Sequence, residues 1–225
     1  MPKTYIEPGE VARLEAQPTN PHDRLLIWLL AHLGCRISEA LALTVQDIDF
    51  QRGTITIQHL KTSLRLSCPE CGARLARRHK FCPGCSLKVG NIVAREEKQR
   101  RLRTLPADND TMKMLQHYVE VGYPKDGCLF NIGRKYAWQL VKGYALAAGL
   151  EMLINPETGK THFVSPHKLR DAFAIRAIKV DNTTDGVRML QEWLGHSNIN
   201  TTMGYRKVSG GELKSWYERV QQGSG

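Results

Sequence analysis

Hydrophobic positions recur along this chain with two different periods, and the switches between them mark its elements. The stretch Asn20-Pro-His-Asp-Arg-Leu25-Leu-Ile-Trp28-Leu-Leu-Ala-His-Leu33 is apolar around most of a helical circumference, the pattern of a helix buried on nearly all sides. Asn20 is its expected N-cap, Pro21 fits the first turn and Gly34 is the expected stop. A short helix from Glu10 to Gln17 precedes it, and another starts at Ser38, the expected cap. The period then falls to two. Asp47 to Phe50 and Thr54 to Leu60 read as strands joined at Gln51-Arg52-Gly53, with Thr54-Ile-Thr-Ile-Gln alternating as a half-buried strand does. Arg101 to Pro106 reads as a third strand that stops at proline. Helical spacing returns over Asn109 to Val121, Arg134 to Gly149, Pro166 to Val180, Thr184 to Leu194 and Gly211 to Gln222, and Gly223-Ser-Gly reads as a flexible end. There is no internal repeat. The expected fold class is α+β, mainly α-helical with one small antiparallel three-stranded sheet.

Composition narrows this picture. With 225 residues, 41% of them hydrophobic, the chain can bury a core and is neither a disordered tail nor a disulfide-stapled miniprotein. Leu25 to Leu33, the longest apolar run, is too short to span a bilayer and contains His32. The start MPKTYIEPGE lacks the apolar core of a signal peptide, so no membrane association and a cytoplasmic, reducing compartment are expected. The formal charge of +10 and pI of 9.4 point to a polyanionic partner. That charge is concentrated. Lys61 to Leu105 holds twelve Lys/Arg against three acidic residues, a local +9, which leaves the rest of the chain close to neutral.

The same basic segment holds four of the six cysteines. Cys68-Pro-Glu-Cys71 and Cys82-Pro-Gly-Cys85 are two C-x-x-C pairs ten residues apart. Each can place two thiolates on one ion, and together they complete a closed tetrahedral four-cysteine site, structural rather than catalytic. Zn(2+) suits such a site, although iron can occupy the same geometry in an isolated sample. Disulfides are disfavoured in a reducing compartment. Cys35 and Cys128 have no such spacing and read as core thiols, and His79 as a surface residue. The expectation is a zinc ribbon over residues 64–92, inserted between the second and third strands and folded by its metal. Arg74, Arg77, Arg78, Lys80 and Lys88 are its candidate DNA-binding residues, suited to a phosphate backbone.

Elsewhere, polar residues stand at helix starts and turns. Arg36 follows the buried helix, His167 and Arg170 share a helix face, His196 ends an apolar helix, and Tyr205 comes nine residues later. Singly, each has an ordinary structural explanation. In order, they form Leu33-Gly-Cys-Arg36-Ile-Ser-Glu-Ala-Leu, Ser165-Pro-His167-Lys-Leu-Arg170-Asp-Ala-Phe-Ala and Leu194-Gly-His196-Ser-Asn-Ile-Asn-Thr-Thr-Met-Gly-Tyr205. This set resembles the tyrosine recombinases, the phage integrase family, from about Ile6 to about Gln222, the ribbon excepted.

The resemblance implies a catalytic domain over residues 1–225, with the family's N-terminal core-binding domain absent. It implies a site-specific recombinase or integrase that cleaves and rejoins double-stranded DNA through a 3′-phosphotyrosine, without ATP or a catalytic metal. Tyr205 matches the nucleophile, and Arg36 and Arg170 match arginines that clamp the phosphate. His167 matches the base or its assistant, and His196 a donor to the phosphate. Lys61 fits the place of a general acid in the turn after the second strand, and Lys98, beyond the ribbon, is its rival. The family's members work as tetramers on synapsed DNA, and a monomer is possible when free. A nucleoid-associated or virus- or mobile-element-encoded role goes with this. A type IB topoisomerase-like strand transferase would share the chemistry, and a non-catalytic zinc-ribbon DNA-binding protein remains the third reading.

Overall fold

The computed structural model describes residues 3–58, 63–75, 79–88, 93–97, 102–124, 127–155, 158–206 and 217–222, with 63–66 and 93–97 described by backbone alone. Lys61, Lys98, Arg77, Arg78, the start of the last expected helix and the Gly223-Ser-Gly end lie outside these residues.

Helix α1 (Pro8–Glu15) begins two residues earlier than its hydrophobic pattern implies. Pro8 is preset for a first helical turn, and Glu10 reaches back to accept the Glu7 N–H at 3.0 Å. In α2 (Pro21–His32), Asn20 Oδ1 accepts the Asp23 N–H at 2.8 Å, as its cap role requires. The next helix, α3 (Ile37–Leu41), corrects an expectation. Its N-cap is Arg36, not Ser38, because the Glu39 carboxylate reaches back to the Arg36 N–H at 2.9 Å and leaves Ser38 inside the first turn.

A single turn of 3₁₀ helix (Val45–Asp47) leads into β1 (Ile48–Asp49), which pairs antiparallel with β2 (Thr54–Gln58). Strand β6 (Leu102–Pro106) completes a three-stranded sheet in the order β1-β2-β6. Between β2 and β6 in the chain come β3 (Ser63–Ser67), β4 (Arg74–Leu75) and β5 (Val93–Glu97), in a separate sheet with β3 in the middle. The chain divides accordingly into two compact units: residues 1–57 with 103–225, and Gln58–Leu102.

The larger unit continues through α4 (Asn109–Glu120), α5 (Arg134–Ala147), the hairpin β7 (Leu153–Ile154) and β8 (Thr161–His162), α6 (Pro166–Val180), α7 (Thr184–Leu194) and α8 (Ile199–Met203). A 3₁₀ turn (Gly204–Arg206) follows, and residues 217–222 are helical. The hairpin, α8 and the last turn are too short for periodicity to announce.

Helix α2 is the axis of the core. Leu25, Leu26, Leu29 and Leu30 are fully buried there, together with Ile55 and Ile57 of β2, Leu115 of α4 and Leu169 of α6. Cys35 is buried in this core as expected, but Cys128 is exposed. Cys128 bridges Thr44 through its backbone while Leu129 and Phe130 take the inward positions. A smaller cluster joins Ala174 and Ile178 of α6 to Val187, Leu190 and Leu194 of α7, and Tyr205 packs against it. Among the described residues no helix is long and apolar enough to cross a membrane.

Candidate active site and metal centre

The site begins with Arg170, a guanidinium in the protein interior. Pro166 opens α6, and the following turn carries Arg170 inward, only 2% exposed. A buried cation needs fixed acceptors, and two helix ends supply them. Arg170 Nη1 donates to Gly34 O, just past α2, and Nη2 to Leu194 O, the last residue of α7, each at 2.7 Å. The Leu194 carbonyl is one that a helix leaves unpaired at its negative end, and the Gly34 carbonyl lies two residues beyond the last residue of α2. Left-handed glycines make both ends possible: Gly34 has φ +58° and Gly195 φ +65°.

Nη2 of Arg170 also meets His196 Nε2 at 3.0 Å, while His196 Nδ1 lies 2.9 Å from Thr202 Oγ1 of α8. A guanidinium only donates, so Nε2 is the acceptor and the ring proton sits on Nδ1, donated to Thr202. Burial, then the charges of Arg170, Arg36 and Arg103, push the His196 pKa down to about 4. His196 is therefore a neutral imidazole with both nitrogens engaged. The expected donor to a phosphate is, in this state, a support for Arg170.

Glu39 gathers the remaining cations. Its carboxylate, 1% exposed, accepts from Arg36 Nη1 at 2.9 Å and Arg103 Nη2 at 2.7 Å, and lies 4.0 Å from Arg170 Nη1. Burial would raise its pKa, but the hydrogen bond and charge of Arg103, with Arg36 beyond them, hold it at about 2. Three guanidiniums thus surround one carboxylate, an arrangement with a surplus of positive charge that favours a further anion. Arg36, whose side chain is about one-third exposed, is the member open to solvent.

Tyr205 lies on the 3₁₀ turn, its ring stacked on His196 with centroids 6.2 Å apart and planes 18° from parallel. Its hydroxyl donates to Asp171 Oδ1 at 3.2 Å. Burial and then the Asp171 charge push the phenol pKa up to about 12, so it is protonated at neutral pH. His167 stands one turn before Asp171 on α6, three-quarters exposed, with Nε2 4.0 Å from the same Oδ1. The expected base therefore faces the carboxylate that holds the phenol.

In the smaller unit the four cysteine sulfurs lie within 4.8 Å of one another. Cys68 and Cys85 are 3.6 Å apart, Cys71 and Cys82 3.5 Å. A disulfide would be about 2.05 Å, whereas sulfurs at about 2.3 Å from a tetrahedral zinc stand about 3.8 Å apart. The two turns repeat one hydrogen-bond scheme. Gly72 N–H donates to Cys68 O and Cys68 N–H to Ala73 O; Ser86 N–H donates to Cys82 O and Cys82 N–H to Leu87 O. Gly72 and Ser86, each just after its second cysteine, share a left-handed backbone, φ +69° and +59°. Apart from Cys68 and Cys82, the core here holds only Leu75 among the described residues, with Ala73 against it. The donor set and its spacing fit one tetrahedral metal ion.

The phage integrase family model matches residues 7–69 and 84–211. The chain belongs to the phage integrase family. It is 24% identical over 232 residues to the tyrosine recombinase XerA of Pyrococcus furiosus, covering 98% of this chain and 62% of that protein. The chain thus spans about three-fifths of the curated relatives it matches. Its fold is that of the XerA recombinase crystal structure, with TM-score 0.64 at 19% identity over 96% of this chain and 63% of that one. The XerH site-specific recombinase bound to a palindromic difH substrate, a post-cleavage complex, gives 0.63 at 18% identity, covering 98% and 54%.

In this phage integrase fold, Arg36, Arg170, His196 and Tyr205 converge on one site, with His167 at its edge. The four cysteines converge on another. Arg74, Lys80 and Lys88 are exposed. Four residues of the site had no role assigned from sequence: Glu39, Arg103, Asp171 and Thr202. Glu39 sits three residues after Arg36, a capping-box spacing that could have singled it out. Asp171 and Thr202 lie within the strings that carry Arg170 and His196, but only folding gives them their contacts with Tyr205 and His196, and Arg103 is joined to the site by folding alone.

Proposed function

We propose that this chain is the catalytic domain of a site-specific tyrosine recombinase that cleaves and rejoins double-stranded DNA. The observation that carries the reading is the placement of Tyr205 against Arg170 and His196, beside a surplus of guanidinium charge. The likeness to XerH in its substrate-bound post-cleavage form supports it.

The chemistry follows from these groups. Tyr205 Oη attacks the scissile phosphorus and gives up its proton. The P–O5′ bond breaks, leaving a 3′-phosphotyrosine and a 5′-oxygen that takes a proton from Lys61, or from Lys98. Arg36 meets the non-bridging oxygens directly. Arg170, held beneath it by two carbonyls and His196, adds positive charge that needs no reorganisation as the pentacoordinate state forms. Attack by a 5′-hydroxyl on the phosphotyrosine reverses the steps and reseals a strand, so no ATP is needed. On synapsed DNA four protomers act together, in the cytoplasm.

The four-cysteine cluster holds a structural Zn(2+) through Cys68, Cys71, Cys82 and Cys85, and that ion folds the ribbon around it. Arg74, Arg77, Arg78, Lys80 and Lys88 give the ribbon its grip on the DNA backbone.

Nicked suicide DNA substrates test the function. The wild-type protein forms a covalent adduct that Tyr205→Phe abolishes. Absence of an adduct on every duplex or junction offered contradicts the reading.

A further inference from the structure

A phenol with a pKa near 12 cannot attack a phosphodiester near neutrality unless something takes its proton. The neighbouring bases differ in what they have free. His196 spends its Nε2 lone pair on Arg170 and carries its proton on Nδ1, toward Thr202. Arg170 is a cation with no acceptor. His167 has its Nε2 4.0 Å from Asp171. The group that receives the Tyr205 hydrogen bond is Asp171 Oδ1, at 3.2 Å.

We infer that Asp171 is the general base that takes the Tyr205 proton during cleavage and returns it during resealing. The inference rests on the reading of Tyr205 as the nucleophile. In the forward step the Tyr205 O–H electron pair forms the new O–P bond, and the proton passes to Asp171 Oδ1. The P–O5′ pair leaves with the 5′-oxygen, which the general acid protonates. In the reverse step the phosphotyrosine oxygen leaves and recovers its proton from Asp171.

The helix that carries Asp171 makes this arrangement. His167, Lys168 and Asp171 fall at i, i+1 and i+4 on α6, so the first and second can both flank the third. Lys168 Nζ donates to Oδ2 at 3.2 Å, which anchors one oxygen and leaves the other for the phenol. The carboxylate is only 17% exposed, so little water competes for it. The charged and titratable groups around it are His167, Lys168 and Arg170 of α6, Tyr205 on the 3₁₀ turn packed against that helix, and His196 stacked behind the phenol. His167, at the solvent side, is placed to relay the proton outward.

The rival is a latch, in which Asp171 merely restrains the phenol until DNA arrives. Single-turnover adduct formation on suicide substrates separates the two, with DNA affinity measured on the same samples. If Asp171 is the base, Asp171→Asn lowers the cleavage rate by roughly 10²- to 10⁴-fold with affinity unchanged. Its log rate then climbs with unit slope between about pH 6 and pH 9 as hydroxide takes over, a slope wild type lacks. Asp171→Ala is partly rescued by added formate, and Asp171→Glu keeps more activity than Asp171→Asn. Cleavage by Asp171→Asn at or above the wild-type rate, with an unchanged pH profile, overturns the proposal. If Asp171→Asn does not fold, formate rescue of Asp171→Ala decides the matter, and no rescue counts against it. A wild-type protein that forms no adduct removes the nucleophile itself, an outcome separate from a cleaving wild type with an indifferent Asp171 variant.

Discussion

Arg170 and His196 share a hydrogen bond that can run in one direction only, from guanidinium Nη2 to imidazole Nε2 at 3.0 Å. It fixes the histidine tautomer, sends the Nδ1 proton to Thr202 at 2.9 Å, and keeps the ring neutral beneath the Tyr205 phenol. A protonated His196 would have no lone pair to offer Arg170.

Acid should therefore weaken the fold in two stages. The folded-state pKa of His196, about 4, lies below the ordinary 6.5, so unfolded chains bind a proton that folded ones refuse. Its contribution is complete above pH 6.5 and is lost as pH falls toward 4. Glu39, lowered from 4.5 to about 2, acts the same way over the window below. Thermal melts across this range should show Tm falling as the pH drops from about 6.5, and His196→Asn should remove the upper stage. A Tm that stays flat from about pH 7 to pH 5 contradicts the assignment.

Glu39→Gln should be among the most damaging single changes in the helical unit. It leaves Arg36, Arg103 and Arg170 facing one another without the buried carboxylate that joins them. Breaking a buried ion pair from one side costs about 3–5 kcal/mol. Chemical denaturation should report a loss of that size, with adduct formation falling in parallel. A loss below about 1 kcal/mol, the scale of a surface pair, would mean the cluster is held by other means.

Gly34→Ala tests the backbone that carries Arg36. Gly34 has φ +58°, and an added Cβ would come within 2.5 Å of the Phe173 ring. Left-handed strain and overpacking together predict a loss of about 2–4 kcal/mol. Because the Gly34 carbonyl accepts from Arg170, cleavage should fall more than stability at permissive temperature. Equilibrium unfolding and single-turnover cleavage on the same variant check both.

How much of this could be read along the chain depends on range. The α6 and α7 boundaries follow from long helical patterns with Pro166 and Gly195 at their edges, and both come out as the pattern implies. Arg36, His167, Arg170, His196 and Tyr205 stand out because their neighbours form recognisable strings. Asp171 sits inside one of those strings, yet its partner Tyr205 is 34 residues away. Arg103 reaches Glu39 across 64 residues. The first contact exists only once the 3₁₀ turn is packed on α6 and the second only once β6 meets α3, and no local spacing encodes them. Ser38 is a misleading cap for a related reason. A hydroxyl at a helix start is a good local signal, but a carboxylate held by two arginines outcompetes it.

The ribbon should depend on its metal and the helical unit should not. Treatment with a strong chelator, or Cys68→Ser, should take the metal content from about one ion per chain to none and unfold the unit from Gln58 to Leu102. The main helical transition should remain, since the core around α2 contains none of the four cluster cysteines. Deleting residues 64–92 should weaken DNA binding and flatten its salt dependence, by roughly 0.9 in log–log slope for each phosphate that is no longer neutralised. Metal analysis and salt titrations of DNA affinity check these outcomes, and an unchanged slope contradicts a DNA-gripping role.

The most direct measurement is the chemistry of the covalent bond itself. The protein is trapped on a nicked suicide substrate, digested with nuclease and protease, and the modified peptide is sequenced by mass spectrometry. The expected product is a nucleotide joined through its 3′-phosphate to Tyr205, with a free 5′-hydroxyl on the released strand. A 5′-linked adduct, attachment to any other residue, or an adduct that persists in Tyr205→Phe would contradict it.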